Sequence, residues 1–405
     1  MLALPFAVST AFAADLPAVK ISGFGTGALT FTDTDKAQFA RPNQATGAKK
    51  SPRTGVDSNL GLQASTDINP WLSATAQGLV RKDGEEGFGA ELAWAFVKAK
   101  ISDDVSVRVG RMGLPAFMIS DYRNVGYANT MLRPPSDMYS QVPFDNIEGV
   151  DASFQKSFGD TAVTAQLAYG KASPELGAGG GAVLDIKDMV ALNLVAEHGP
   201  LTVRFGRVDG KATIANSVSV NTLLSGLRAA GAGYGFAQLA PLANALAVDD
   251  KKVSFTSVGA VLDLNNFLVQ TELGKRKTDS YISDTTSWYV MGGYRFGKFL
   301  PYVSHSQLKS DGGVANTVPA ACPAGFPAAC TPTLRSLSAG VARLVTQAEQ
   351  STNTLGVRWD FHTSAALKVQ VDRIKPKNGQ GLLLQPAVGF TGPVTVGAVA
   401  VDFVF

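Results

Sequence analysis

The sequence predicts an all-β protein: a transmembrane antiparallel β-barrel of sixteen strands with long extracellular loops and short periplasmic turns. Three observations carry this. The chain ends Val399-Ala400-Val401-Asp402-Phe403-Val404-Phe405, with apolar residues alternating up to an aromatic terminus. On a soluble protein such a strand leaves an apolar edge open to pairing. In a closed barrel the last strand pairs with the first and turns Val399, Val401, Phe403 and Phe405 to lipid. Period-two alternation recurs along the chain, and every second connection between the alternating segments is short.

The composition agrees. No apolar run of about eighteen residues is free of Gly, Pro and charge, so no transmembrane helix is expected. Strands of about 9–11 alternating residues dilute the hydropathy signal, so the mean hydropathy of +0.08 decides nothing. The 42 glycines suit a β protein with many turns, and a net charge of +3 argues against nucleic-acid binding. At the N-terminus, Leu2 to Val8 is a short apolar run followed by Ala11-Phe12-Ala13-Ala14, a small-x-small cleavage pattern. The reading is a signal peptide over 1–13, cleaved after Ala13, and a barrel domain over 14–405. No Lys or Arg precedes the apolar run, so the signal reads as truncated at its start. The two cysteines, Cys322 and Cys330, lie close together in a Pro/Ala/Gly-rich stretch. In an exported chain they most simply form one disulfide that staples a loop, and without a nearby His they make a poor metal site.

In chain order, alternation predicts strands over about 18–31, 56–67, 71–82, 89–101, 104–111, 146–158, 161–171, 186–198, 200–209, 252–264, 266–277, 284–296, 299–309, 349–361, 364–376 and 394–405. Tight turns are expected at Ile68-Asn69-Pro70, Ser102-Asp103, Gly159-Asp160, Gly199, Asn265, Gly297-Lys298 and His362-Thr363. Between them lie the longer segments Thr32 to Gly55, 83–88, 112–145, 172–185, 210–251, 278–283, 310–348 and 377–393. That alternation puts both termini on the periplasmic side.

The strands divide into an apolar and a wet face. Leu355, Val357, Trp359 and Phe361 oppose Arg358 and Asp360; Lys368, Gln370 and Asp372 share one face; Arg108 opposes three valines. A charge facing lipid costs about 2–4 kcal/mol at the midplane, so these charges are expected in the lumen. Asn59, Gln63 and Ser65 are expected inward on the second strand. Trp71, Trp94, Trp288 and Trp359 are candidates for interfacial girdles. In 91–101 the aromatics Trp94 and Phe96 share parity with Lys98, which either snorkels or follows a bulge, so its direction stays open. Gly23-Phe24-Gly25-Thr26-Gly27 lacks the third glycine and following helix of a nucleotide fingerprint and is read as close packing.

The connection after the fifth strand is long and unusual. Arg108-Val109-Gly110-Arg111, Leu114-Pro115, Val125-Gly126-Tyr127-Ala128 and Arg133-Pro134-Pro135 resemble the fifth strand and third loop of proteobacterial general porins. The terminal Phe resembles the assembly signal of bacterial outer-membrane proteins, carried here by Val401, Phe403 and Phe405. The resemblance implies a homotrimer in outer-membrane lipid, recognised by the barrel-assembly machinery through its C-terminal strand. It also implies a third loop, about 112–145, that folds inward and narrows the channel. Candidate constriction residues are Asp121, Arg123, Arg133, Asp137 and Asp145 on that loop, facing Arg108, Arg81 and Arg204 on the wall. Opposed charges across a narrow passage make a transverse field that orients polar solutes. The competing reading is that Arg111 and Arg133 only pair with loop carboxylates and hold the loop in place.

Two segments read as helical. Residues 221–248 carry Leu223, Leu224, Leu227, Leu239, Leu242 and Leu246, interrupted by Gly and Pro241. They suit short helices that cap the mouth, fold inward or meet a neighbouring subunit. A second helix is expected over Leu337 to Gln350. No enzyme is expected: the three histidines, His198, His305 and His362, are scattered, and no G-x-S-x-G, H-E-x-x-H or Walker loop occurs. No cofactor or nucleic-acid partner is implied. The expected function is a water-filled channel for passive diffusion of small hydrophilic solutes and ions. The alternatives are an anion- or organic-acid-selective channel and a non-conducting receptor or adhesin barrel.

Overall fold

A computed structural model describes residues 18–82, 84, 87–177, 181–377 and 381–405; the expected signal segment over 1–13 lies outside them. Sixteen strands close into one antiparallel barrel in which each strand pairs with its sequence neighbours and the last with the first. They are β1 (Val19–Thr32), β2 (Asn59–Asn69), β3 (Leu72–Lys82), β4 (Phe88–Lys100), β5 (Val105–Gly113), β6 (Asn146–Phe158), β7 (Thr161–Ala172) and β8 (Val183–His198). The second half comprises β9 (Leu201–Ala215), β10 (Lys251–Leu264), β11 (Phe267–Thr278), β12 (Asp284–Tyr294), β13 (Phe299–Gly312), β14 (Glu349–His362), β15 (Ala365–Lys377) and β16 (Val394–Val404). All sixteen expected strands form. Closure satisfies the edge amides that an open sheet would leave bare, as a structure in lipid requires. Among the described residues no helix is long and apolar enough to cross a membrane.

The seam between β1 and β16 explains the glycines of the first strand. Gly25 lies opposite Phe403 and Phe31 opposite Gly397 in the register. Gly23 and Phe405 exchange backbone hydrogen bonds at 2.9 and 3.0 Å. A Cβ on Gly23 would stand 2.3 Å from the Phe405 ring, and one on Gly25 2.5 Å from Phe403. The rings therefore lie flat over bare backbone on the outer surface, where they cover glycines that would otherwise weaken the strand. Val399, Val401, Phe403 and Phe405 are all exposed on that surface, while Asp402 is buried inward.

Outward aromatics collect at the periplasmic end. Phe267 meets Tyr294 edge-on at 4.7 Å, Tyr294 touches Phe296 at 4.6 Å, Phe299 stacks on Trp359 at 5.6 Å, and Trp359 adjoins Phe361. Amphipathic rings at this level suit a membrane interface. Trp71 sits exposed at the β2–β3 turn, and Trp288 lies beside His305 on the outer face, 5.3 Å between centroids. Trp94 departs from the girdle expectation. The β3–β4 register shifts between Gln77 and Gly78, where Trp94 and Leu92 become successive partners. The extra residue reverses parity. Leu92 is thus exposed to lipid, whereas Trp94 packs inward on Phe24, Leu79 and Ala93, as does Val125 of the third loop. Lys98 follows the same parity and lines the periplasmic vestibule with Ser73, Ser106 and Ser153.

The helices all belong to extracellular connections. A four-residue helix α1 (Ser136–Tyr139) lies in the third loop; α2 (Val218–Tyr234) and α3 (Leu239–Leu246) form in the fifth, and α4 (Cys330–Leu344) in the seventh. The last begins seven residues before the expected Leu337 and ends before Gln350, which belongs to β14. Pro332 falls in its first turn, where a proline lacks no needed donor. Leu224, Leu227, Leu239, Leu242, Leu246, Leu334 and Val341 build a separate core for α2, α3 and α4, whereas Met138 and Tyr139 of α1 pack in the barrel interior. Cys322 and Cys330 are joined by a disulfide at the head of α4. The two loops therefore make one small helical cap, with its own packing, above the barrel.

Candidate functional site: the third loop and the facing wall

The third loop (114–145) leaves the wall where β5 ends. Its neck is closed by a hydrogen bond from Leu114 N–H to the Asp145 carbonyl, 2.9 Å. From there the loop lies along lumen-facing side chains of β9 through β16. Arg204 donates to the carbonyls of Pro115 at 2.6 Å and Ala116 at 3.3 Å, and Ser257 also donates to Ala116. Glu272 accepts from Met118 N–H and from the Tyr139 hydroxyl, both at 2.8 Å. Arg358 donates to the carbonyls of Tyr127 and Asn129. Lys368 Nζ donates to those of Gly126 and Asn129 and stands 2.9 Å from Asp402. An irregular backbone inside a barrel needs such partners, because its carbonyls would otherwise be buried unpaired.

This arrangement divides the eight candidate constriction residues. Arg133 is buried between Asp57 of the first loop and Asp372 of β15, at 2.8 and 2.5 Å. Asp137 is fully buried in α1 and accepts from Ser306 and Gln350. Burial pushes its carboxyl above the ordinary value, against the pull of those hydrogen bonds. Arg204 is buried against the loop neck, as above, and Arg108 forms a bidentate pair with Asp151 on the neighbouring strand. These four do not meet one another across a passage. Arg133 does hold the loop, but through a first-loop and a wall carboxylate rather than its own; Arg111 pairs with Glu148 of β6.

The other four converge. Arg81, Arg123 and Asp145 line a cavity of about 480 Å³ between the third loop and the wall. Asp121 lies just below with Arg123, Asn124 and Asp145. Arg81 lies 2.8 Å from Glu91 and 3.3 Å from Asp145. Asp145 also accepts from Asn124 at 2.9 Å, and Asn59 of β2 donates to the Asn124 carbonyl. Burial would raise the Asp145 pKa, but Arg81 and Arg123 outweigh it and hold it down to about 2. Arg123 donates to the Phe144 carbonyl and lies over the Phe117 ring, 5.8 Å from its centroid. Asn59, Gln63 and Ser65 are inward as expected: Gln63 accepts from Gln77, and Ser65 lies 3.2 Å from Thr75.

Sequence reasoning missed Arg41. It lines the same cavity from the first loop. Its turn is fixed by Arg41 N–H to Gln44 Oε1, and by Gln44 Nε2 to the carbonyls of Gly55, Val56 and Lys82. Burial lowers its pKa to about 10, with Asp57 opposing and the nearby arginines adding to the shift. No period-two signal marks a loop residue, so only the tertiary fold brings Arg41 beside Arg81 and Arg123. Glu91 was missed because the bulge masks which face of β4 it occupies.

The family described as Gram-negative porin matches residues 1–313. No curated protein matches the chain in sequence. The barrel is similar to the anion-selective porin of Comamonas acidovorans, with TM-score 0.56 and 13% identity over 96% of this chain and 100% of that one. It is similar to Salmonella typhi OmpF, solved with daunomycin, with TM-score 0.55 and 14% identity over 97% and 99% of the two chains. The outer-membrane channel DcaP of Acinetobacter baumannii aligns with TM-score 0.56 and 9% identity over 98% and 100%. With a closed sixteen-strand wall and a matched family over most of its length, the chain belongs to the Gram-negative porins and is an outer-membrane channel.

Proposed function

We propose that the channel passes small hydrophilic solutes and ions by passive diffusion, and that Arg41, Arg81 and Arg123 with Asp145, Glu91 and Asp121 form its selecting constriction. The observation that carries this is the cluster of fixed charge where the neck of the third loop meets β2–β4. The loop is hydrogen-bonded along β9–β16, and its neck meets β2 and β3 through Asn59 and Arg81 beside the 480 Å³ cavity. Fixed charges of both signs around such a passage orient dipolar solutes and exclude apolar ones. The test is single-channel recording of the purified protein in planar bilayers, with reversal potential under a salt gradient.

A second reading, anion preference, is favoured by the same cavity. With Arg111 and Glu148 set aside as a pair, its described lining places Arg41, Arg81, Lys82 and Arg123 against Glu91, Asp145 and Glu175. A modest shift of reversal potential toward the anion is expected.

We further propose a homotrimer, as in the trimer form of Vibrio cholerae OmpT, and recognition by the assembly machinery through Val401, Phe403 and Phe405. The outward seam of aromatics over glycine supports the latter. The three histidines lie outside the lining of the 480 Å³ cavity. His198 lies beside Thr161 and His362 beside Ser364 at periplasmic turns, and His305 lies on the outer face beside Trp288.

A further inference from the structure

The first-loop turn that carries Arg41 separates two spaces. On one side is the constriction cavity. On the other is a second cavity of about 380 Å³, toward the extracellular mouth. Its walls are half-buried apolar side chains from four different connections: Leu176 after β7, Ile214 at the end of β9, Tyr281 before β12, and Leu382 and Leu384 before β16. Ser136 and Ser140 of α1 contribute hydroxyls. Arg41 lines both cavities, and among the described residues it has no ion-pair partner. Its turn is rigidly tied by Gln44 to three carbonyls.

An apolar chamber is out of place in a passage for hydrophilic solutes alone, since it offers them nothing and discourages water-borne ions. A pocket of this size, mostly apolar and with one charged group at its edge, has the make-up of a small-molecule site. We infer that this chamber is a loading site for amphipathic monoanions: carboxylates bearing an aromatic or branched aliphatic tail. The carboxylate seats on Arg41, whose planar guanidinium suits bidentate recognition. The tail lies against Leu176, Ile214, Tyr281, Leu382 and Leu384. Because Arg41 also faces the constriction, a carboxylate released from the chamber passes to Arg123 and Arg81 without leaving a cationic surface. The inference rests on the diffusion-pore reading and names a solute class for it.

The test is interruption of the potassium chloride current through the full chain in planar bilayers. Three probes are added to the side of the long loops: 3-phenylpropanoate, propanoate and 3-phenylpropan-1-ol. Burying the ring gains well over a methylene's worth of transfer free energy, so 3-phenylpropanoate is expected to block at a concentration at least about tenfold below propanoate. The alcohol, which has the tail without the charge, is expected not to block. Arg41→Gln and Leu384→Asn are each expected to weaken block by 3-phenylpropanoate about tenfold. Equal block by the two carboxylates would overturn the apolar half of the site, and equal block by the alcohol would overturn the role of Arg41. Channels that conduct but are blocked by none of the three would refute the loading site and leave the pore standing. A folded barrel without conductance would instead refute the pore reading itself.

Discussion

Lys368 of β15 and Asp402 of β16 stand 2.9 Å apart with both side chains fully buried, and the same ammonium reaches the carbonyls of Gly126 and Asn129. One residue thereby ties the closing strand of the barrel to the middle of the third loop. Thr26 of β1 completes the set by donating to Asp402 at 2.5 Å.

Removing one member of a buried pair strands the other charge, at a cost of about 3–5 kcal/mol. Lys368→Met is expected to lower the temperature at which the barrel loses its compact electrophoretic mobility, and to make single-channel current noisier as the loop loosens. The double variant Lys368→Met/Asp402→Asn, which leaves no unpaired charge, should recover part of that temperature. A double variant no better than the single one would show that the charge pair is not what matters.

The charges of the proposed constriction are expected to separate from the anchors in their effect on selectivity. Arg41→Gln and Arg123→Gln are expected to move the reversal potential toward the cation, and Asp145→Asn toward the anion. Asp137→Asn is expected to move it in neither direction, because Asp137 is fully buried and held by Ser306 and Gln350. The salt-gradient potential of each variant reads this directly, and a shift for Asp137→Asn as large as for Asp145→Asn would contradict it.

Acidification offers an independent check. The Asp145 pKa lies below its ordinary 3.8, at about 2. A depressed carboxylate contributes fully above its unfolded value and loses that contribution only as pH falls through the folded one. Asp145 therefore keeps its charge, and its contact with Arg81, from neutral pH down to about 4, and loses both toward pH 2. The difference in reversal potential between the wild-type and Asp145→Asn channels should be constant over the first interval and vanish in the second. A difference that disappears near pH 5 would mean that Arg81 and Arg123 do not hold the carboxylate.

At the seam, a side chain on Gly25 must displace Phe403, because a Cβ would lie 2.5 Å from the ring. Gly25→Val is expected to reduce the yield of heat-modifiable barrel in the outer membrane. Pairing it with Phe403→Ala should restore closure if sterics alone are at fault. If the double variant closes in vitro yet still assembles poorly in cells, the aromatic itself is being read by the assembly machinery.

Much of this architecture was legible in the sequence because a barrel wall obeys a period of two. Lys368, Gln370 and Asp372 announce a wet face between apolar neighbours, and short turns such as Gly159-Asp160 alternate with long loops. The terminal Phe405 marked the seam, although its glycine partners emerged only with the register. What was not legible depends on events that break the period. The bulge before Trp94 turned an expected girdle residue inward and fixed the direction of Lys98. Arg41 carries no pattern, being a loop residue brought beside Arg81 and Arg123 by the fold of the first loop. Charge alone did not distinguish Arg133 and Asp137 from Arg123 and Asp145; burial did.

The most direct test of the central claim is single-channel recording of the purified, heat-modifiable protein in a planar bilayer, under a potassium chloride gradient. Stepwise conductance with a reversal potential displaced modestly toward chloride is the predicted result. A folded barrel that inserts and conducts no current would contradict it and point instead to a surface receptor or adhesin.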